Sequence, residues 1–259
     1  MADMDRFERL RLLVGPDGMD RLQRARVLVF GVGGVGSFAA EALARAAIGH
    51  LTLVDHDTVR PSNINRQLHA LTATVGRPKV EVMAERLRAI QPACDLVARQ
   101  EKVLAEAVGA WLEGDWDYVV DAIDDGDAKL ALLAECVRRG VKVVSSMGAA
   151  NKLLPGEVRT VDISQSRRCP LARRMRKYLR RIGIEHGITV VYSEELPLRL
   201  LGADGSFQSD TPEKQGEKRP QGTISYMPAL FGLHCASVVL RHLLADLPFV
   251  RRGETPPTA

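Results

Sequence analysis

Cysteine is scarce. The 259-residue chain carries four, Cys94, Cys136, Cys169 and Cys235, and no two form a CxxC pair. That spacing excludes a disulfide framework and gives no reason to expect zinc. Long apolar runs are missing too: none approaches the ~20 residues that a membrane-spanning helix requires. The opening MADMDRFERLRLL alternates acid and base where a secretory leader is apolar. A cytoplasmic location is the default expectation. A strong net charge is also lacking, since 36 basic against 32 acidic residues leave only +4. What remains is a core-forming composition, 46% apolar and 26% charged, in a length that fits one large α/β domain.

The order of segments predicts a Rossmann-like α/β fold, a mostly parallel sheet flanked by helices, with a C-terminal α/β extension. RVLVF at 26–30 reads as a buried strand, short, β-branched and ending at a glycine. A helix follows over SFAAEALARAAIG, with Gly49 as its C-terminal cap, and then a strand LTLVD at 51–55. Residues 56–78 are polar and irregular, and KVEVMAERLRAI at 79–90 is an amphipathic helix ending before Gln91-Pro92. Strands are expected at 117–121 and 141–146 around a helix at about 127–139. Strands alternating with helices indicate βαβ units.

From residue 151 the character changes. EVRTVDI and ITVVYSE read as strands with a basic helix between them, and a final helix covers about 227–245. The chain is expected to form one domain, with a nucleotide-binding part at 1–150 and a substrate-binding part at 151–245. Residues 202–223 read as a mobile Gly/Pro-rich loop and 246–259 as a disordered tail.

Chemistry concentrates at the first strand–helix junction. Gly31, Gly33, Gly34 and Gly36 satisfy G-x-G-x-x-G immediately after a strand and at the opening of a helix. Glycines let backbone amides approach a phosphate, and the helix N-terminus offers unpaired N–H groups and a positive dipole end. Asp55 stands 19 residues past Gly36, at the end of the next strand, where a carboxylate can accept from ribose hydroxyls. Whether Asp57 binds nucleotide or only shapes the turn, and whether the ligand is a mono- or a dinucleotide, stays open on this loop alone.

The following segment favours ATP. It holds Asn63, Asn65, Arg66 and Gln67, then Gly76-Arg-Pro-Lys79. Hydride chemistry leaves a pyrophosphate intact and needs no cations here. Nucleotidyl transfer builds negative charge on phosphoryl oxygens and on departing pyrophosphate, so fixed cations are needed there. Arg66 supplies a planar fork and Lys79 a point charge. Asp121, Asp124 and Asp125 follow a strand whose carboxyl end faces the ligand crevice, and Asp124 is the chosen Mg²⁺ ligand.

These motifs, GVGGVGSF, LTLVDHDTV, NINRQ, VGRPK and DAIDD, resemble the E1-like, ThiF-type superfamily of adenylating enzymes, which includes ubiquitin-activating enzymes and activators of sulfur-carrier proteins. The resemblance implies a homodimer with an ATP–Mg²⁺ site in each subunit. It also implies roles for Asp55 at ribose, Arg66 and Lys79 at phosphates and Asp124 at magnesium. Arg9, within RFER, matches an arginine that reaches into the partner's site. Sulfur-carrier activators commonly hold paired CxxC motifs, and thioester-forming members a cysteine in the crossover loop; this chain has neither. The segments ERLRLLVG, RQLHALTATVG, VMAERLRAIQPAC and PLARRMRKYLRRIGI look instead like the tRNA threonylcarbamoyladenosine dehydratase branch. That branch implies adenylation of the threonylcarbamoyl carboxylate on adenosine 37 of tRNA and closure of a ring. A protein partner of the sulfur-transfer, cysteine desulfurase type is a further expectation.

The stretch 167–181 fits an RNA substrate. It carries Arg173, Arg174, Arg176, Lys177, Arg180 and Arg181 and no acid, while Leu171, Met175, Tyr178, Leu179 and Ile182 fall at helical spacing on one face. The cations would then line the other faces as a stripe for phosphates. Competing readings are activation of a small protein's C-terminus, a nicotinamide-dependent oxidoreductase and a non-catalytic nucleotide sensor.

Overall fold

A computed structural model describes residues 6–202, 206 and 221–249. Most of the loop expected at 202–223, and the tail from 250 onward, lie outside the described residues. The described chain builds one seven-stranded sheet in the order β3-β2-β1-β4-β5-β7-β6. Its strands are β1 (Arg26–Phe30), β2 (His50–Val54), β3 (Asp95–Arg99), β4 (Tyr118–Asp121), β5 (Val143–Ser146), β6 (Val158–Asp162) and β7 (Thr189–Ser193). All neighbours pair parallel except edge strand β6, which runs antiparallel to β7. The residues after 150 thus extend the same sheet.

The helices are α1 (Glu8–Arg24), α2 (Gly36–Arg45), α3 (Lys79–Ile90), α4 (Val108–Trp111), α5 (Gly126–Arg139), α6 (Pro170–Arg181) and α7 (Tyr226–Leu243). They cover both faces of the sheet, which is why β1 is apolar and buried from Val27 to Phe30. Successive side chains of a strand point to opposite faces. Val27 and Val29 accordingly pack with Leu22, Leu43, Met83 and Phe231 from α1, α2, α3 and α7. Leu28 and Phe30 pack on the other side with Leu132, Met175 and Leu179 from α5 and α6.

Three sequence expectations change. The helix over 37–49 stops at Arg45, so Gly49 is not its cap; a Cβ there would lie 1.7 Å from the Gln23 carbonyl oxygen. Close backbone approach, not a left-handed turn, therefore requires that glycine. Strand β3 is an addition to the strands that the sequence predicts. It sits at the sheet edge with only its middle residues half-buried, and DLVAR carries a weak apolar signal. Helix α6 buries Ala172, Met175 and Leu179, while Tyr178 and Ile182, expected on that face, are exposed to 37% and 57%.

Candidate active site

The strand order reverses direction between β1 and β4, which opens a crevice at the carboxyl ends of the strands. Gly31 turns the chain there with φ of 81°, and a Cβ on it would sit 2.5 Å from the Ala122 carbonyl oxygen just past β4. A Cβ on Gly36 would stand 1.7 Å from the Gly31 oxygen, so the loop closes on itself where α2 begins. Both positions therefore need glycine, one for its dihedral and both for space.

A cavity of about 410 Å³ occupies this crevice, a volume in the range of small-molecule sites. Gly31, Gly33, Gly34, Asp55, Asp57, Asn63, Arg66, Gln67, Lys79 and Asp124 all line it. These residues span four separate stretches of sequence, and the fold brings them together. Gly36 and Asn65, also predicted at the site, do not line the cavity. Asn65 accepts from the Arg66 guanidinium through Oδ1 at 2.9 Å and donates to the Thr223 carbonyl at 2.9 Å. Arg66 also donates to the Ser62 carbonyl at 2.8 Å and meets no carboxylate among the described residues. It is oriented without being neutralised.

Asp55 is an organiser as well as a lining residue. Its carboxylate accepts the Val32 amide at 2.7 Å and the Asp57 amide at 2.8 Å, tying the glycine loop to the turn after β2. Each oxygen keeps a lone pair for a further donor. Lys79, only 5% exposed at the start of α3, donates to Asp57 Oδ2 at 2.7 Å. Burial alone would raise the Asp57 carboxyl, but the hydrogen bond and charge of Lys79 outweigh it and hold it below the usual carboxylate value. Close by, His69 is 2% exposed and neither ring nitrogen meets a partner among the described residues. Burial first, and the Lys79 charge second, push its imidazole down to about 4, so it is neutral. Gln67 lines the cavity, and its Oε1 is likewise buried without a partner among the described residues.

The three acids at the end of β4 separate cleanly. Asp121 is fully buried and accepts from Lys129 Nζ at 2.7 Å and Ser145 Oγ at 2.6 Å, which makes it a brace under the site. Asp125 caps α5, accepting the Asp127 and Ala128 amides at 3.0 Å. Asp124 is exposed on the cavity wall. The sequence reading missed Glu101, Lys102 and Val103, which line the cavity from the end of β3. Recognising β3 as a strand would have placed that loop at the ligand edge. It also missed the segment 146–150 at the end of β5, and Pro228 at the start of α7.

Arg9 is exposed on α1 and does not line the cavity. The basic residues of α6 flank the site without entering it; Leu171 of that helix is the member that reaches the wall. Arg174 lies 3.7 Å from Asp127 of α5. Arg176, placed by the sequence in the phosphate stripe, turns inward instead and donates to the Ser166 carbonyl at 2.8 Å and to its hydroxyl. All four cysteines are buried and free. Burial raises the Cys94 thiol to about 11 and those of Cys136 and Cys235 to about 12, the opposite of an activated nucleophile.

The chain as a whole resembles known proteins. The chain is 39% identical over 249 residues to a tRNA threonylcarbamoyladenosine dehydratase of Bacillus subtilis, covering 96% of this chain and 98% of that protein. It is 35% identical over 252 residues to the enzyme of that name from Escherichia coli, covering 93% and 94%. The solved structure of E. coli tRNA N6-threonylcarbamoyladenosine dehydratase in complex with ATP superimposes with a TM-score of 0.82 at 33% identity, over 93% of this chain and 94% of that one. The family model described as the ThiF family matches residues 7–256, and the chain belongs to that family.

Proposed function

We propose that the chain is an ATP-dependent tRNA threonylcarbamoyladenosine dehydratase. One observation carries the reading: Arg66, Lys79 and Asp124 converge on the cavity whose floor is the Gly31–Gly36 loop. Support comes from relatives of that name matched over nearly their whole length, one of them solved with ATP.

In this reading the glycine-loop amides and the N-terminus of α2 receive phosphate oxygens. Asp55, already fixed by two amides, accepts from ribose, and Asn63 and Gln67 add polar contacts beside it. Arg66 and Lys79 stand where charge develops as a substrate carboxylate oxygen attacks the α-phosphorus and pyrophosphate departs. A nitrogen or oxygen of the same threonylcarbamoyl group then attacks the acyl carbon, and AMP leaves with the former carboxylate oxygen. Intramolecular attack needs no cysteine relay, and the four buried thiols offer none.

The charge balance of the cavity asks for a cation. Its wall holds Arg66, Lys79 and Lys102 against Asp55, Asp57, Glu101, Asp124 and Asp125, three positive groups facing five negative ones. A triphosphate enters such a wall with a divalent cation, and Asp124 is the residue to hold Mg²⁺. The metal would neutralise phosphate charge and orient the leaving group. The homodimer belongs to the same reading: Arg9 shares α1 with Leu12 and Leu13, which are 75% and 71% exposed in the single chain. The outer cations of α6, Arg173, Arg174, Lys177, Arg180 and Arg181, are the proposed tRNA contacts.

The test incubates the protein with ATP, Mg²⁺ and tRNA carrying or lacking the threonylcarbamoyl group. Nucleoside mass spectrometry is expected to show loss of one water from the modified nucleoside, dependent on ATP. Intact nucleoside after complete AMP release would contradict the reading.

A further inference from the structure

The sequence places Tyr178 on the apolar face of α6, and the structure exposes it. The residue is 37% exposed and stands among the cations of the outer face. The Arg174 guanidinium lies 5.9 Å from the centre of its ring and that of Arg181 lies 5.3 Å from it. The three residues form one cluster, an aromatic ring with two planar guanidinium groups over it. Such planes are the surfaces on which proteins stack unpaired bases of RNA, with the cations meeting the neighbouring phosphates.

The cluster shares a rim with the cavity. Leu171, on the cavity wall, precedes Tyr178 by two helical turns, about 10 Å along the axis. Arg174 lies between them and reaches Asp127 at 3.7 Å, just past the acids that line the cavity. A Cβ on Gly126 would touch the same guanidinium at 3.5 Å. Arg176 faces the other way, held by Ser166, so the outward cations and the ring occupy one side of the helix.

We propose that Tyr178, flanked by Arg174 and Arg181, is a stacking platform for an unpaired base of the RNA substrate next to the nucleotide that enters the cavity. This rests on the reading of the chain as a tRNA-modifying enzyme. The platform contributes affinity through a π-face and holds the loop in register. Charge contacts alone would not distinguish a single-stranded loop from any other polyanion.

The experiment compares wild-type protein with Tyr178→Ala and Tyr178→Phe. It measures binding of an RNA hairpin with an anticodon-type loop, carrying 2-aminopurine in the loop, and of heparin, a polyanion without bases. Tyr178→Ala is expected to weaken hairpin binding by roughly 5- to 150-fold and to abolish the quenching of 2-aminopurine. Tyr178→Phe, which keeps the ring, is expected to stay within about two-fold of wild type, since stacking needs the π-face and not the hydroxyl. Heparin affinity and the slope of affinity against salt are expected to be unchanged, because no charge is removed. Unchanged hairpin affinity in Tyr178→Ala would overturn the proposal. So would an equal loss for heparin, or a shallower salt slope, since either means that the ring only places arginines against an anionic surface. Activity separates the two readings. Dehydration with an unaltered KM for tRNA in Tyr178→Ala sinks the platform and leaves the reaction standing. Tyr178-dependent hairpin binding by a wild-type protein that removes no water sinks the reaction and leaves the platform.

Discussion

Two buried lysines make opposite predictions. Lys129 is 1% exposed and holds the fully buried Asp121, so Lys129→Met would strand a carboxylate in the core at a cost of roughly 3–5 kcal/mol. Urea denaturation is the measurement, and a loss below about 1 kcal/mol would show that Asp121 finds another donor. The Lys79 side chain is nearly as buried, but that of its partner Asp57 is 40% exposed and can be rehydrated. Lys79→Met is therefore expected to leave the unfolding midpoint nearly unchanged and to lower kcat by about 10²–10³, the scale for removing one charge-stabilising group. The sequence puts both lysines on helices but cannot tell them apart, because that depends on which carboxylate each meets across the fold. For the same reason it names Asp121 beside Asp124: three acids in five residues look alike until one is found beneath the site and another capping α5.

His69 gives a pH dependence whose sign follows from burial. Its folded value, about 4, lies below the ordinary histidine value of 6.5. The unfolded chain thus binds the extra proton between those values, and stability falls as pH falls from about 6.5 through 4. Going from pH 7 to pH 5 is expected to cost on the order of 2 kcal/mol from this group, lowering Tm by roughly 4–8 °C. His69→Leu removes the titration and strands no partner, since neither nitrogen has one among the described residues. A melting series in which wild type and His69→Leu lose Tm in parallel would contradict the assignment.

At the scale of elements, the proposed reading divides the cations of α6 between tRNA phosphates and the fold itself. Changing Arg173, Arg174 and Lys177 together to Ala is expected to flatten the salt dependence of tRNA binding by about 0.7 for each phosphate no longer neutralised, roughly 2 in all. Arg176→Ala is expected to loosen the turn at Ser166 and lower Tm while leaving that slope alone. A filter-binding titration in which Arg176→Ala flattens the slope as much as the triple variant would reject the division. The sequence shows the helix, its proline start and its arginines, because composition and periodicity report those. It cannot show that Arg176 folds back, nor that Tyr178 rotates out, because α6 buries a narrow strip, Ala172, Met175 and Leu179, set by how closely α5 and the sheet approach. Interior strands β1 and β4 are legible for the reverse reason: burial on both faces demands unbroken apolar runs. Edge strand β3 carries no such demand, and Lys102 is missed along with it.

At the scale of the whole molecule, the glycine loop, the 55–67 segment, Lys79 and the end of β4 are readable as one site, because the carboxyl ends of parallel strands must face a common crevice. Arg9 is readable only as a motif, and within one chain it stands away from the cavity. Its proposed place in a partner's site predicts complementation. Arg9→Ala and Lys79→Met proteins, each impaired alone, are expected to regain part of wild-type activity when co-refolded, since a mixed dimer contains one intact site. Activity that stays at the level of the single variants would place Arg9 outside the chemistry.

The fate of one oxygen tests adenylation most directly. With ¹⁸O in the carboxylate of the threonylcarbamoyl group, attack on the α-phosphorus followed by ring closure must deliver the label to AMP. Mass spectrometry of the released nucleotide is expected to find one labelled oxygen in AMP and none in pyrophosphate. Unlabelled AMP, or label in inorganic phosphate released alongside ADP, would contradict adenylation at this site.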